Sequence, residues 1–212
     1  AKFVESVEYF DIANKTFNTL NNAQCEFGYR DSIFKHALKN KAVITTVHLA
    51  LPKEWQPVLS YGPLQQLAAV TPQAVFEQVI ATRNSKLPNP YTLPNAGSFF
   101  KNPIITNQCL ATLLTTFADL PHYKHGAKHH KVAAGWLIEQ AGLKGHRIAG
   151  IEVHKQQALV LVNYGQSQGS DLIAMIKHIQ HGVFSRYNIM LEHEVRLINN
   201  NSECHIAAEL TR

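Results

Sequence analysis

Residues 94–103 read Pro94-Asn95-Ala96-Gly97-Ser98-Phe99-Phe100-Lys101-Asn102-Pro103, and the rest of the chain is organised around them. Gly97 permits a positive φ or a close approach of the backbone to a ligand, and a small hydroxyl follows it. Two aromatic side chains can then anchor the segment to a core. The stretch therefore predicts a loop. Composition alone favours a plain surface turn held by Phe99 and Phe100 over a functional turn that presents Ser98.

The overall composition is that of a folded protein. The chain has 212 residues, of which 45% are hydrophobic and 17% are charged, so it is long enough for one or two domains with a sizeable core. No apolar run reaches the ~18 residues that a membrane span needs. The three cysteines (Cys25, Cys109 and Cys204) lack metal-ligand spacing, which predicts free thiols in a reducing compartment.

The charge balance is basic, with a formal net charge of +5 and a pI of about 9.1. A basic protein suits an anionic partner, although solubility alone also accounts for the charge. Lysine and arginine are scattered along the chain and form no stripe, which argues against nucleic-acid binding. The sequence contains neither G-x-G-x-x-G nor a P-loop, so it offers no evident cradle for the phosphates of a cofactor.

The first residues are also informative. The chain opens without an initiator methionine, in a segment (3–12) that already has the composition of a strand, which predicts a piece of a longer protein. No charged and then apolar leader precedes it, so we expect a cytoplasmic protein.

The first part of the chain predicts two strands and a helix. Strands are expected at 3–12 and 41–51, with a polar turn region at 11–24 between them. Thr71 and the proline after it open a helix that ends near Lys86. The proline-rich stretch 87–90 is the best candidate for a domain boundary, which predicts a first domain at 1–87.

The second part alternates helices and strands. Helices are predicted at 106–119, 132–141 and 170–187, and strands at 147–154, 157–163 and 190–198. A polar, histidine-rich loop is expected at 122–131, and a weakly specified tail at 199–212. The order α-α-β-β-α-β predicts an α+β fold with helices on one face of a sheet. We expect a second domain at 88–188, followed by a C-terminal strand and tail at 189–212.

Three groups of charged residues are candidates for a site. Arg30 lies between aromatic residues, where a guanidinium would bind a carboxylate or phosphate, or would pair with Asp31 or Glu26. Arg83 and Lys86 would bind a polyanion such as a diphosphate, or merely complement the helix dipole. Glu192, Glu194 and Arg196 share one face of the predicted strand, which is either a solvated face or the lining of a polar site.

The remaining polar motifs are weaker signals. Four histidines, at positions 122, 125, 129 and 130, resemble a metal cluster, but they lack a cysteine partner or the H-E-x-x-H arrangement, so we expect no metal. Ser98 is not inside G-x-S-x-G, so a serine-histidine catalytic triad has no structural context.

Taken together, these motifs resemble the UDP-N-acetylenolpyruvoylglucosamine reductase family, flavoenzymes of bacterial peptidoglycan precursor synthesis. The segment 95–103 is similar to one signature of that family, and Phe27-Gly28-Tyr29-Arg30-Asp31-Ser32-Ile33-Phe34-Lys35 to another. Further segments follow in the family's order and extend the likeness over nearly the whole chain: 51–57, Tyr61-Gly62, 133–138, 156–160 and 191–196. The Tyr61 region is typical of the longer, first type.

The resemblance implies an activity and its partners. It implies reduction of UDP-N-acetylglucosamine enolpyruvate to UDP-N-acetylmuramate, with NADPH as the reductant and FAD as the bound carrier. Such an enzyme would be a cytoplasmic monomer serving cell-wall synthesis, cell shape and division, without nucleic acid or membrane as partners. The family's N-terminal flavin-binding segment is missing, so the chain would start inside the second, flavin-contacting domain. The alternative is a fragment that binds the UDP-sugar, holds no flavin and is inactive alone.

The resemblance also assigns roles residue by residue. Ser98 would donate the proton, and Arg30 and Glu194 would flank the enolpyruvyl group, with Lys101 as a nearby cation. The positions that match the family's UDP-sugar contacts are Tyr61, Lys86, Asn102 and Gln157, with Gln156 as the alternative to Gln157.

Overall fold

The computed structural model describes residues 1–60, 62–198 and 203–204, and the side chain of Cys204 is outside this description. The chain divides into two compact units, Ala1–Ser60 and Tyr61–Arg212. The division falls earlier than the boundary expected at 87–88 from the proline-rich stretch. The functional division at 1–87, 88–188 and 189–212 stays a prediction, since it follows the family's domains and not compactness.

The first unit is a three-stranded antiparallel sheet. Its strands are β1 (Val4–Asp11), β2 (Thr16–Asn21) and β3 (Ala42–Leu49), in the order β2-β1-β3. The strands expected at 3–12 and 41–51 are confirmed. The prediction of a turn region at 11–24 is wrong over β2, because residues 16–21 pair with β1, from Thr16 opposite Asp11 to Asn21 opposite Ser6. Tyr9 packs its buried ring edge-on against Phe34, 5.9 Å between centroids.

The second unit opens with helix α1 (Pro72–Lys86). Thr71 caps it as the sequence predicts, with its hydroxyl accepting the N–H of Ala74 at 3.1 Å. No residue of α1 is buried, and its apolar stripe of Phe76, Val79 and Ile80 is exposed.

A four-stranded antiparallel sheet forms the centre of the second unit. Its strands are β4 (Asn95–Ser98), β8 (Arg147–Ile148), β9 (Ile151–Val153) and β10 (Val160–Asn163), in the order β4-β10-β9-β8. The segment predicted as a loop is therefore strand β4 in its first half. The strand predicted at 147–154 is two strands, because Ala149, at φ +51°, and Gly150 turn the chain between β8 and β9.

A second sheet replaces the predicted histidine-rich loop. Strands β5 (Ile104–Thr106), β6 (His122–His125) and β7 (His129–Val132) pair in the order β5-β7-β6. The hairpin turns at Gly126, which has φ +70°. The loop prediction at 122–131 is wrong because the pairing of β7 with β5, some 25 residues earlier in the chain, was not visible in local composition.

Three helices cover the sheets: α2 (Asn107–Thr116), α3 (Ala134–Gln140) and α4 (Gly169–Tyr187). All three were predicted, although α2 ends earlier than expected. The start of α4 differs in detail from the prediction at 170, because Gln168 is the N-cap residue and its backbone N–H donates to Oδ2 of Asp171 at 2.8 Å. The mixture of helices and antiparallel sheets confirms the α+β class.

The hydrophobic core lies between α4, α3 and the four-stranded sheet. Met175, Ile176 and Ile179 of α4 are fully buried, as are Leu137 of α3 and Val153 of β9. Burying one such side chain contributes about 1.5–3 kcal/mol, so this layer fixes how the sheet meets the helices.

The C-terminal segment is less regular than expected. The strand predicted at 190–198 is reduced to β11 (Leu197–Ile198), which pairs with β12 (Glu203–Cys204), and to a single pairing of His193 with Phe100. Cys25 and Cys109 are free thiols, as predicted. No helix within 1–60, 62–198 and 203–204 is both long and apolar enough to cross a bilayer.

Candidate functional site

Ser98 and Glu194 lie on neighbouring segments of paired backbone. Ser98 pairs with Val160 of β10 on one side of β4. Just after the end of β4, Glu194 donates its N–H to the carbonyl of Phe99 at 2.7 Å, and Lys101 donates to the carbonyl of Glu192 at 2.9 Å. Residues 192–194 thus pair with residues 99–101, which follow β4 in the chain. This places Glu194 directly opposite the residue that follows Ser98.

The alternation of the strand is interrupted beside Ser98. Phe99 and Phe100 are consecutive, yet both are buried, at 2% and 1% exposure. Their rings meet edge to face with centroids 5.3 Å apart. Both aromatics therefore anchor the segment, as the sequence predicted. Ser98 itself is exposed, and Glu194 is half-buried.

The backbone before Ser98 leaves open space. Gly97 has φ +73°, and no atom lies within 4 Å of the position that a Cβ would occupy there. Asn95 holds this turn: its Oδ1 accepts the N–H of Gly97 at 2.9 Å, and its Nδ2 donates to the carbonyl of Pro88 at 3.2 Å. The open space therefore lies at the residue directly before Ser98.

Lys101 forms an ion pair with Glu192, 3.0 Å between Nζ and Oε2. The glutamate side chain is 74% exposed, so the pair contributes little stability but holds the lysine toward the C-terminal segment. Arg196, which the sequence places on the same strand face as Glu192 and Glu194, binds Glu203, with 2.6 Å between Nη2 and Oε2. That hydrogen bond raises the pKa of Arg196.

Asn102 and Gln157 each lie near the first turn of α3. The Oδ1 atom of Asn102 accepts the N–H of Ala134 at 2.9 Å. The Oε1 atom of Gln157 lies 3.5 Å from where a Cβ on Gly135 would stand, and accepts weakly from the N–H of Leu159 at 3.4 Å. A ligand contact from Asn102 would therefore come from its amide NH₂ group.

Lys86 is the last residue of α1 and is exposed. Arg83 shares that last turn, and its carbonyl accepts the N–H of Leu87 at 2.8 Å. The chain then reaches Pro88, whose carbonyl holds Asn95 at the start of β4. Lys86 is thereby connected to the Ser98 strand through one short, hydrogen-bonded segment. Tyr61, the fourth predicted sugar contact, lies outside the described residues.

Arg30 belongs to the first unit, in a tight turn where Gly28 donates its N–H to the carbonyl of Asp31 at 2.9 Å. Arg30 adopts the left-handed conformation, with φ +56°, and is exposed. Asp31 forms an ion pair with His36 at 2.7 Å, and this hydrogen bond lowers the pKa of the Asp31 carboxyl. The prediction that Arg30 and Ser98 face one ligand stays a prediction.

A buried tether that sequence reasoning missed holds the Glu194 segment. Gln180 of α4 is 7% exposed and donates its Nε2 to the carbonyl of Leu191 at 2.8 Å. The signal was present, because a glutamine follows Ile179 in the apolar face of a helix that otherwise buries hydrophobic residues. A buried glutamine there requires an internal partner.

A cavity of about 620 Å³ opens elsewhere, between the ends of α2 and α4. Phe117, His181 and Tyr187 are among its lining residues, and burial raises the pKa of Tyr187. The predicted site residues Ser98, Asn102, Gln157 and Glu194 do not line it.

The fold agrees with what comparison with known proteins finds. The family model described as "UDP-N-acetylenolpyruvoylglucosamine reductase, C-terminal domain" matches residues 89–198, just over half of the chain. Two proteins named UDP-N-acetylenolpyruvoylglucosamine reductase are similar over almost all of it. One, from Pseudoalteromonas translucida, is 97% identical over 211 residues. The other, from Aliivibrio fischeri, is 48% identical over 201 residues.

The chain is shorter than these relatives. It spans 63% of the Pseudoalteromonas protein and 57% of the Aliivibrio protein. A crystal structure of UDP-N-acetylenolpyruvylglucosamine reductase from Thermus caldophilus has a similar fold, with a TM-score of 0.56 at 22% identity. That match covers 91% of this chain and 52% of the Thermus chain.

Proposed function

The chain belongs to the UDP-N-acetylenolpyruvoylglucosamine reductase family, and from this membership we propose that it forms the substrate-binding part of such an enzyme. The whole enzyme would reduce UDP-N-acetylglucosamine enolpyruvate to UDP-N-acetylmuramate in the cytoplasm, for peptidoglycan synthesis. NADPH and FAD would be its redox partners. The observation that carries the proposal is the placement of Ser98 and Glu194 on adjacent backbone beside the open space at Gly97.

In this proposal Ser98 is the proton donor. Reduction of the enol ether builds negative charge on the substrate carbon next to the carboxylate, and that carbon must then take a proton. A serine hydroxyl is about as weak an acid as water, but a carbanion is basic enough to accept its proton. A proton donor must first be accessible to the substrate, and Ser98 is exposed.

Arg30 and Glu194 would act on the carboxylate end of the substrate. A guanidinium stabilises charge that delocalises into a carboxylate, and it does so more strongly in the transition state than in the ground state. Glu194 opposes that charge if it is ionised, so its role requires a protonated carboxyl or a protonated neighbour. Lys101 forms an ion pair with Glu192, so it would contribute to the site by holding the segment 192–194 that carries Glu194.

The UDP-sugar would be held by Tyr61, Lys86, Asn102 and Gln157. The assignment is supported by the fact that Asn102 and Gln157 each lie near the first turn of α3. Lys86 offers a cation for the diphosphate, at the end of the helix that leads to the Ser98 strand.

The described residues do not fit the phosphates of a flavin dinucleotide. Their glycines with positive φ stand singly, at positions 62, 97, 126, 142, 145 and 165, and form no glycine-rich cradle before a helix. We therefore derive no step through FAD from this chain.

The alternative is that the chain binds the UDP-sugar, holds no flavin and is inactive alone. A visible spectrum of the purified chain with added FAD distinguishes a chain that binds flavin from one that does not. Titration with UDP-N-acetylglucosamine tests UDP-sugar binding, which both alternatives include. Binding that is lost on Asn102→Ala and Gln157→Ala supports the sugar site, and equal affinity in wild type and both variants contradicts it.

A further inference from the structure

The hairpin of β6 and β7 carries four histidines that no role above uses. His122 lies opposite Val132, and Lys124 lies opposite His130. Because opposite and alternate residues share a face, His122 and His130 stand on one face, and the remaining two stand on the other. The rings of His122 and His130 have centroids 5.7 Å apart, with planes at 73°.

Hydrogen bonding fixes the tautomer of His122. Its Nδ1 atom lies 2.9 Å from the carbonyl oxygen of Leu120. A carbonyl oxygen can only accept, so Nδ1 carries the hydrogen. In the neutral ring, Nε2 therefore holds a lone pair.

His130 has the same tautomer for an independent reason. Its Nδ1 atom lies 3.0 Å from Oδ1 of Asn107. The orientation of that amide is set at its other end, where Nδ2 donates to the carbonyl of Ala127 at 3.2 Å. The amide oxygen therefore faces the histidine and accepts from Nδ1–H. This leaves a second Nε2 lone pair on the same face of the hairpin.

We propose that His122 and His130 bind a divalent cation of the late first transition row, such as Zn²⁺, Ni²⁺ or Cu²⁺, through their Nε2 atoms. Imidazole suits these ions, whereas Mg²⁺ and Ca²⁺ prefer oxygen ligands. Two rings that share a tetrahedral ion at ~2.0 Å have centroids ~5 Å apart, close to the 5.7 Å that separates the rings of His122 and His130. Nδ1–H donation to a carbonyl is the usual outer-shell arrangement of metal-bound histidine.

The surroundings set the strength of this site. No group of three histidine, cysteine or acidic side chains suited to a metal occurs in the parts of the chain that the structure describes. Water would therefore complete the coordination. Lys124 shares the face, but its ammonium is exposed on a flexible stem and is screened by salt. The site is consequently weaker than a four-ligand zinc site, and it revises the expectation that these histidines bind no metal.

Zinc titration of the intact chain tests the proposal. Calorimetry in a non-chelating buffer at neutral pH measures affinity, and NMR of the histidine rings identifies which nitrogens respond. We expect the first Zn²⁺ to shift the Nε2 signals of His122 and His130 while both Nδ1–H groups remain. His122→Ala and His130→Ala should each weaken binding by ~10-fold or more. His125→Ala and His129→Ala, on the opposite face of the same hairpin, are the matched controls and should leave the affinity unchanged.

The outer shell gives a second, independent test. Asn107→Ala should weaken zinc binding by ~10-fold, whereas Asn107→Asp, which keeps an acceptor for Nδ1–H, should retain it. Circular dichroism checks that the variants stay folded. Affinity unaffected by His122→Ala and His130→Ala, a first ion that shifts other rings, or no binding at millimolar Zn²⁺ would each overturn the site. None of these outcomes depends on the reductase function.

Discussion

Glu194 donates its backbone N–H to the carbonyl of Phe99 across 2.7 Å, so the glutamate is aligned with the residue next to Ser98. These positions are almost a hundred residues apart in the chain. The pairing is supported by the Lys101–Glu192 ion pair on one side and by the Gln180 tether behind it. The predictions below test this arrangement and the roles proposed for it.

Ser98→Ala in the full-length enzyme should separate two half-reactions. Reduction of the flavin by NADPH should proceed at the wild-type rate, because the serine is proposed to act only on the substrate carbanion. Reduction of the enolpyruvyl substrate should slow by ~10²–10⁴-fold, as expected for loss of a general acid. Stopped-flow absorbance measures both. Ser170→Ala, an exposed serine in α4, is the control, and a wild-type second half-reaction in Ser98→Ala would remove Ser98 from the mechanism.

Gln180→Leu should destabilise the second unit by about 1–3 kcal/mol, because it leaves the buried carbonyl of Leu191 without its donor. Hydrogen exchange should also become faster at the N–H of Glu194, which the tethered segment holds against Phe99. Urea denaturation measures the stability, and NMR measures the rate of hydrogen exchange at the N–H of Glu194. The control is Ile173→Leu, a conservative change at an exposed position on α4. An unchanged exchange rate at Glu194 would show that the tether does not position it.

Thr106→Ala should cost about 1 kcal/mol of stability, because the threonine hydroxyl caps α2 by accepting the N–H of Cys109 at 3.1 Å. Thr106→Ser keeps the cap and serves as the matched control. The difference between the two variants in thermal or urea unfolding isolates the hydrogen bond. Equal stability of alanine and serine variants would mean that water replaces the cap at no cost.

Lys86→Ala should weaken binding of the UDP-sugar more than it slows turnover at saturating substrate, since the lysine is proposed to hold the diphosphate in ground and transition states alike. Isothermal titration gives the affinity, and steady-state kinetics on the full-length enzyme gives the turnover. Arg83→Ala changes a cation in the same helical turn and should have a smaller effect. An affinity equal to wild type would refute the assignment.

The carboxyl of Asp31 should titrate below its ordinary range, because the hydrogen bond from His36 lowers its pKa. Because the pKa of this carboxyl is lower in the folded state, the carboxylate stabilises the folded turn at pH values above the unfolded-state pKa of ~3.9. That contribution is lost as the pH falls through the folded-state pKa. NMR of the carboxyl carbon over acidic pH reads this directly. In His36→Ala the midpoint should move up toward the ordinary value, whereas His48→Ala should leave it unchanged.

Local sequence signals predicted most helices and the strands with clear apolar character. Thr71 followed by proline located the start of α1, and the apolar spacing of Ile176, Ile179 and Val183 located α4. These features are recognisable because helix caps and helical periodicity involve residues only a few positions apart.

The missed elements depend on distant partners. The hairpin of β6 and β7 has a polar composition and is held by pairing with β5, whereas β4 was obscured by the turn chemistry of Gly97 and pairs with β10. Site prediction shows the same pattern: motif resemblance named Ser98, Asn102 and Gln157, but the Gln180 tether depends on packing between α4 and a later segment.

The pairing of residues 99–101 with residues 192–194 also bears on how the protein is made. During synthesis residues 192–194 leave the ribosome after every strand of the four-stranded sheet. Until they arrive, the carbonyl of Phe99 and the N–H of Lys101 lack the partners that this segment supplies, and unpaired edges of this kind recruit strands from other chains. A nascent chain that stalls before residue 192 would therefore lack Glu194 and be prone to aggregate.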